Sequence, residues 1–349
     1  MFNSSQFNSY IHLKSGGVTR WIVPIFPKYA YPILKLWRPY SLKSRIAWAL
    51  FLFMYRAYLI TVIMVLARLA TGRALTLLDN NSYSYVVYVG TVGPTQKYVI
   101  ITSSKNINGH IYVEKVGVST TARAYIEHEI KILCAIGGRY NFKVPKVRES
   151  YAQFGGLSQS YLCGGQSGSA FTLNHAKQLI QLVESGKTHN ITKVDLMHEI
   201  ENIIDTTSVS FKLSDVVDEI FSGEEEYLVP VCVEHGDYAP WNILLIDGDY
   251  SLVDWESAVL SGYPLFDAFH FFHTIYRLLD GVHLPADEMK NNLGFNYLVN
   301  KLGLAEIECD LLHLMFLLKK SNEAKFLKKN TEYEYYKNTL KILLAKMHS

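Results

Sequence analysis

The chain has 349 residues, 49% hydrophobic and 19% charged, which is enough to bury a substantial core and excludes a disordered protein. The net charge is +2 and the isoelectric point near 8.1, a balance that argues against a dedicated nucleic-acid binder. Four cysteines, at 134, 163, 232 and 309, lie far apart with no CxxC pair; they fit reduced thiols in a cytoplasmic setting and exclude a disulfide framework or a zinc site.

In chain order, the first twenty residues carry no apolar run of the kind a secretory signal needs. Residues 1 to about 40 read as irregular, interrupted by Pro24, Pro27, Pro32 and Pro39. From Ser41 to about Leu75 the pattern predicts one helix, and its stretch from Ile46 to Ala67 is apolar enough to raise three alternatives. It docks on the body of the protein, lies on a membrane surface as a partner, or spans a bilayer; Arg56 at its centre makes spanning the least favourable. Strands follow at Tyr83–Val89 and Lys97–Thr102, joined by Gly90-Thr91-Val92-Gly93-Pro94, a loop whose backbone N–H groups suit phosphate. A turn at Asn106–Gly109 leads to a strand from His110 to Val116. Ser119 is placed to cap a helix from Thr120 to about Ile136, which Gly137-Gly138 ends. Val144-Pro145 opens a further strand, and Leu157–Leu162 reads as the next. Helical spacing covers Ala170–Glu184, Lys193–Asp205 and Phe211–Phe221, and Glu224-Glu225-Glu226 reads as a solvated loop. An aromatic helix opens at Pro264–Phe269 and reaches Leu279; His270 and His273 on it lack partners at ligand spacing and read as core or rim histidines. The chain from Ala286 onward is helical and lysine-rich.

One stretch carries chemistry: VCVEHGDYAPWNILLIDGDYSLVDWE, Val231 to Glu256. Ile243–Ile246 and Tyr250–Val253 flank an Asp-Gly step, the signature of a β-hairpin, so Asn242 at its start and Asp254 at its end come side by side. One amide oxygen and one carboxylate converging in that way suit a hard cation such as Mg²⁺. Asp237, five residues before Asn242, can face a hydroxyl brought to a metal-bound phosphate. His235-Gly236-Asp237, Asn242 and Asp254-Trp255-Glu256 together resemble the catalytic and metal loops of the aminoglycoside phosphotransferase/choline kinase family. The resemblance spans about residues 80 to 280.

That resemblance implies an α+β, two-lobed protein-kinase-like fold: a small antiparallel-sheet N-lobe with one helix, then a larger, mainly helical C-lobe, here preceded by an apolar helical N-terminal extension. The bounds would be 1–79 for the extension, 80–162 for the nucleotide lobe and 163–349 for the catalytic lobe. It implies ATP and Mg²⁺ as cofactors, Asp237 as catalytic base or hydroxyl-orienting residue, His235 as a prop for the loop, and Asn242 and Asp254 as metal ligands. Lys115 would bind phosphates, held by Glu129, with Glu127 the fallback because two residues along a helix point to different faces. Gly90, Thr91 and Gly93 would cover the phosphates, adenine would lie against backbone near Ser160 to Leu162, and Asp267 would brace the catalytic loop. Tyr238 and Trp241 depart from the family's usual residues and either wall the acceptor pocket or pack. The activity implied is phosphoryl transfer to a hydroxyl on a small molecule, a sugar or cell-envelope precursor, with choline/ethanolamine- or aminoglycoside-type kinases as alternatives. A pseudokinase scaffold at the inner face of a membrane is the alternative of another class.

Overall fold

The computed structural model describes residues 10–37, 39, 42–70, 83–104, 111–151, 155–204, 212–280, 283–285 and 287–348. The Asn106–Gly109 turn, residues 71–75 and the first residue of the expected Phe211–Phe221 helix lie outside them. Two compact units are present. The first comprises Met1–Gly137, Lys143–Gln166 and Leu244–Ile246, the second Gly138–Phe142, Ser167–Ile243 and Asp247–Ser349.

In the first unit the elements run β1 (Tyr10–Ser15), β2 (Val18–Pro24), α1 (Pro27–Leu34), α2 (Leu42–Arg56), α3 (Leu59–Ala70), β3 (Tyr83–Val89), β4 (Lys97–Ser104), β5 (Ile111–Gly117), α4 (Thr120–Ile136), β6 (Val147–Tyr151), β7 (Gly156–Ser160) and β8 (Gly165–Gln166). Seven strands form one sheet in the order β1-β2-β3-β4-β5-β7-β6, and each neighbouring pair is antiparallel. Residues 10–34 are therefore not irregular. Gly16 and Gly17, at φ 57° and 80°, make the tight turn whose twist matches a hairpin. Alternation along β2 then turns Trp21 and Val23 into the core. The prolines do not forbid structure: Pro24 closes β2, Pro27 opens α1 and Pro32 lies inside α1.

The single helix expected over residues 41–75 is two helices, bent by 74° at Ala57-Tyr58. Tyr58 takes φ 59°, and the side chains on either side of it are tied down. Tyr55, fully buried, donates its hydroxyl to the Pro24 carbonyl at 2.6 Å, and Thr61 donates to the Ile25 carbonyl at 2.7 Å. Those bonds hold one face of the pair on a core of Trp21, Val23, Ile25, Ile33 and Leu34, so the docked alternative describes that face. No single helix among the described residues is long and apolar enough to cross a membrane.

In α4, Ser119 caps the helix by accepting from the Ala122 amide. The buried positions Ala122, Ile126, Glu129, Leu133 and Ile136 recur every three or four residues, and α4 packs that stripe on β5 and β7. Glu129 is a carboxylate inside the apolar stripe; Glu127 faces outward.

The second unit contains α5 (Leu173–Ile180), β9 (Val183–Thr192), α6 (Lys193–Ile203), α7 (Leu213–Phe221), β10 (Glu226–Glu234), β12 (Asp249–Leu252), β13 (Val259–Gly262), α8 (Phe266–Ile275), α9 (Leu293–Leu302), α10 (Glu306–Phe326) and α11 (Asn330–Met347). Strand β11 (Ile243–Ile246) precedes β12 across the Asp247-Gly248 turn. The helices at 193 and 213 sit where the sequence puts them, but the first expected helix stops at Ile180. Beyond it β9 pairs with β10, and β13 completes an antiparallel sheet in the order β13-β10-β9. Glu224 and Glu225 are exposed, while Glu226 begins β10 and accepts from the Asn190 side chain. All ten residues of α8 are buried, and its end widens into a π-turn at Tyr276–Asp280.

Candidate active site

The first unit brings Lys115 and Glu129 together. Lys115 lies on β5, Glu129 in the buried stripe of α4, and the ammonium reaches both carboxylate oxygens at 2.5 and 2.7 Å. The side chains are 5% and 0% exposed, so neither charge is satisfied by bulk water and each depends on the other. Glu127, exposed one face away, takes no part in that pair.

The β3–β4 loop differs in detail from its expected use. Gly90 donates its N–H to the Lys97 carbonyl at 2.9 Å, which closes the hairpin and removes that donor from any phosphate. Thr91 and Gly93 beyond it are exposed, and the Arg20 guanidinium approaches the Thr91 hydroxyl at 3.4 Å. Ser160 is likewise committed: its N–H donates to the Lys146 carbonyl at 2.9 Å, and its hydroxyl accepts from the Lys146 amide at 2.8 Å. Leu162, two residues later, lies in irregular chain past the end of β7.

In the second unit the loop after β10 is built by its neighbours. Gly236 takes φ 78°, and a Cβ there would stand 2.1 Å from the Ser257 carbonyl oxygen, so the position requires glycine. The amides of His235 and Gly236 donate to Asp267 at 2.7 and 2.9 Å, and this carboxylate at the start of α8 fixes the loop. Burial pushes the Asp267 carboxyl up to about 7 and Glu234 adds to the rise, while the two amides and Lys319 pull it down. Lys320 of α10 donates to the Gly236 carbonyl at 3.2 Å and pairs with Glu323 at 2.9 Å. His235 is fully buried and burial pushes its pKa down to about 4, so the ring is neutral. Its Nε2 stands 3.0 Å from the Val253 carbonyl, which can only accept, so that nitrogen carries the hydrogen. The ring packs edge-on against Trp255, 4.7 Å between centroids.

Asp237 is partly open, its side chain 37% exposed. His270 Nε2 stands 2.9 Å from Oδ1, and Asn242 Nδ2 donates to Oδ2 at 2.8 Å and to the Asp237 carbonyl at 2.9 Å. Burial tends to raise the Asp237 carboxyl, but the hydrogen bond and charge of His270 outweigh it and hold the group below its usual range. Because the Asn242 amide nitrogen faces Asp237, its Oδ1 is the atom left to meet a cation. Asn242 and Asp254 are joined through the hairpin ends, where the Val253 amide donates to the Asn242 carbonyl at 3.0 Å. Asp254 follows at φ 68°, a left-handed conformation that aspartate tolerates and that recurs at working sites. An amide oxygen and a carboxylate on adjacent backbone form a hard-oxygen donor set that fits Mg²⁺.

The sequence predicts a core or rim histidine at His270. It is buried, but its Nε2 faces Asp237, with the Thr274 hydroxyl 3.2 Å away. Nothing short of the fold reveals this, because 33 residues separate the two. His273, one turn on, is a core residue: it meets His313 at 2.8 Å between Nε2 atoms and the Tyr335 hydroxyl at 3.1 Å. Tyr238 packs, fully buried and donating its hydroxyl to Gln178 at 2.9 Å, whereas Trp241 is half-buried.

No family model and no curated protein matches the chain. Solved structures do. It is similar to Plasmodium vivax ethanolamine kinase, at 15% identity over 90% of this chain and 93% of that one, with a TM-score of 0.48. The apoenzyme of macrolide 2'-phosphotransferase MphH from Brachybacterium faecium matches at 12% identity, 73% and 91% coverage and a TM-score of 0.47. The GDP and kanamycin complex of APH(2")-IIia matches at 14% identity, 80% and 99% coverage, with a TM-score of 0.47. Similarity at that level leaves the activity to be derived from the chain's own residues.

Proposed function

We propose that the chain is a small-molecule kinase that transfers the γ-phosphoryl group of ATP to a hydroxyl of a sugar or cell-envelope precursor, on the cytoplasmic side. The observation that carries this reading is the setting of Asp237. Each of its oxygens accepts from one fixed donor, His270 or Asn242, while the side chain keeps an open edge. Its remaining lone pairs are positioned to accept from an incoming hydroxyl. Because the carboxyl is held below its usual range, it is ionised at neutral pH and ready to take that proton.

Phosphoryl transfer passes through a loose transition state, so the protein's work is positioning and charge stabilisation more than strong base catalysis. Asp237 orients the acceptor oxygen and takes its proton late. His270 and Asn242 hold the carboxylate at a fixed angle, and Asp267 with Lys320 fixes the backbone beneath it. Asn242 Oδ1 and Asp254 would hold Mg²⁺, which supplies positive charge to the phosphates. Lys115, oriented by Glu129, would hold the nucleotide phosphates, and the exposed backbone of Thr91 and Gly93 would offer them further N–H donors. The acceptor class is supported by the basic, apolar character of the N-terminal segment.

The test is a thermal shift with Mg²⁺-ATP on the wild type and Asp254→Ala, followed by ATP consumption against sugars, amino alcohols and aminoglycosides. Metal-dependent stabilisation that the variant loses, with turnover on one acceptor class, is the expected result. No stabilisation of well-folded protein overturns the reading; stabilisation without turnover on any acceptor moves it to a nucleotide-binding scaffold.

A further inference from the structure

The chain's charge is distributed very unevenly. Its first 78 residues contain ten lysines and arginines and no aspartate or glutamate, whereas the remaining 271 contain 24 basic residues against 32 acidic ones. The near-neutral total therefore conceals a strongly cationic segment joined to an anionic remainder.

The same segment carries the bent pair α2–α3, and that pair is apolar on two faces. One face is docked through Trp48, Leu52, Tyr55, Ile60 and Thr61. The other presents Ile46, Leu50 and Phe53 on α2, spaced by four and three, and Val62, Ile63 and Leu66 on α3. These six side chains are 52–67% exposed, an apolar stripe with no covering element among the described residues. Exposed Lys43 and Arg45 stand at the start of α2 and Arg56 at its end; Lys28 on neighbouring α1 and Lys35 just past its end are exposed too.

We propose that this face seats on an anionic lipid leaflet, with the stripe immersed at the level of the acyl-chain boundary and the basic residues against lipid phosphates. Charge selects that occupant. A second copy of the chain would bring the same exposed Lys28, Lys35, Lys43, Arg45 and Arg56 to the contact and no acid from this segment to meet them. Tethering excludes a span: unbending the pair to cross a bilayer would break the bonds from Tyr55 and Thr61 to the Pro24 and Ile25 carbonyls and leave buried polar atoms unpaired. The inference stands apart from the kinase reading, since it uses no residue of the Asp237 or Lys115 sites.

The experiment is co-sedimentation of the full chain with phosphatidylcholine vesicles, with and without phosphatidylglycerol, at low and high salt. Binding to the anionic vesicles should exceed binding to the neutral ones by about tenfold and weaken as salt rises. The double variant Phe53→Asp/Ile63→Asp should lose that binding with its circular dichroism unchanged, because both positions face solvent. Val194→Asp, a change at a 77% exposed position on α6, should bind as the wild type does. Equal or absent binding to the two vesicle types by monodisperse protein overturns the proposal. So does resistance to alkaline carbonate extraction, which would mean a span. A dimer in lipid-free solution that the double variant abolishes would also overturn it, because a second copy would then cover the face.

Discussion

The chain holds two carboxylates in place with nitrogen donors, and the two are built for different work. In the first unit Glu129 is sealed: one ammonium takes both its oxygens, and the pair has 5% and 0% of its side-chain surface in contact with water. In the second unit Asp237 divides its oxygens between His270 and Asn242 and keeps 37% of its side chain open. The first arrangement fixes a lysine by charge and tolerates no partner loss. The second fixes a carboxylate by hydrogen bonds while leaving it able to accept one more. Burial with opposite charge makes a strut, and partial exposure with fixed hydrogen-bond donors leaves a carboxylate able to accept again.

The sharpest way to break the contrast is Asp237→Ala. Turnover should fall by about 10³-fold, within the usual contribution of a positioned acid–base group, while the unfolding midpoint stays within a few degrees. A variant that kept turnover would remove Asp237 from the chemistry. Glu129→Ala should do the reverse in emphasis. Removing the carboxylate to which the buried Lys115 donates should cost about 3–5 kcal/mol of stability in denaturant titration. The double change Lys115→Met/Glu129→Leu should recover much of that stability while remaining unable to bind Mg²⁺-ATP.

Acid should act on the second unit through its buried histidines. Burial pushes His175 and His313 down to about 3 and His235 to about 4, from an ordinary value of 6.5. Between pH 6.5 and 4 the unfolded chain binds protons that the folded one refuses, so stability falls as the pH is lowered through that window. Each group contributes up to roughly 3–4 kcal/mol to that loss. Denaturant midpoints measured across the window should show the slope, and His313→Asn should flatten it.

The smallest effect belongs to His270. His270→Phe should lower kcat by about tenfold and leave the KM for ATP within about twofold, because the ring positions Asp237 and touches no nucleotide in this mechanism. His270→Gln places an amide N–H where Nε2 stands and should recover part of the loss. A change in KM alone, or no rescue by Gln, would reduce His270 to packing.

Much of this site is legible in the sequence because it depends on short-range geometry. The Asp247-Gly248 step dictates a hairpin, and a hairpin of that length brings Asn242 and Asp254 together whatever surrounds it. Ser119 and the three-to-four spacing of α4 place Glu129 inward and Glu127 outward by helix geometry alone. The Gly16-Gly17 hairpin is equally local, but Pro24, Pro27, Pro32 and Pro39 mask it in a pattern-based reading of residues 1–40. What the tertiary structure decided is whatever joins distant segments. His270 reaches Asp237 across 33 residues because Asp267 anchors α8 to the loop after β10. β9 is a strand because β10 offers it a ladder, whereas its own sequence, with Gly186 between the charged Glu184 and Lys187, favours none. The apolar run at 46–67 bends because buried hydroxyls at Tyr55 and Thr61 find carbonyls on β2 and beside it. Spacing along the chain fixes side-chain direction within one element, and only packing decides which element that side chain meets.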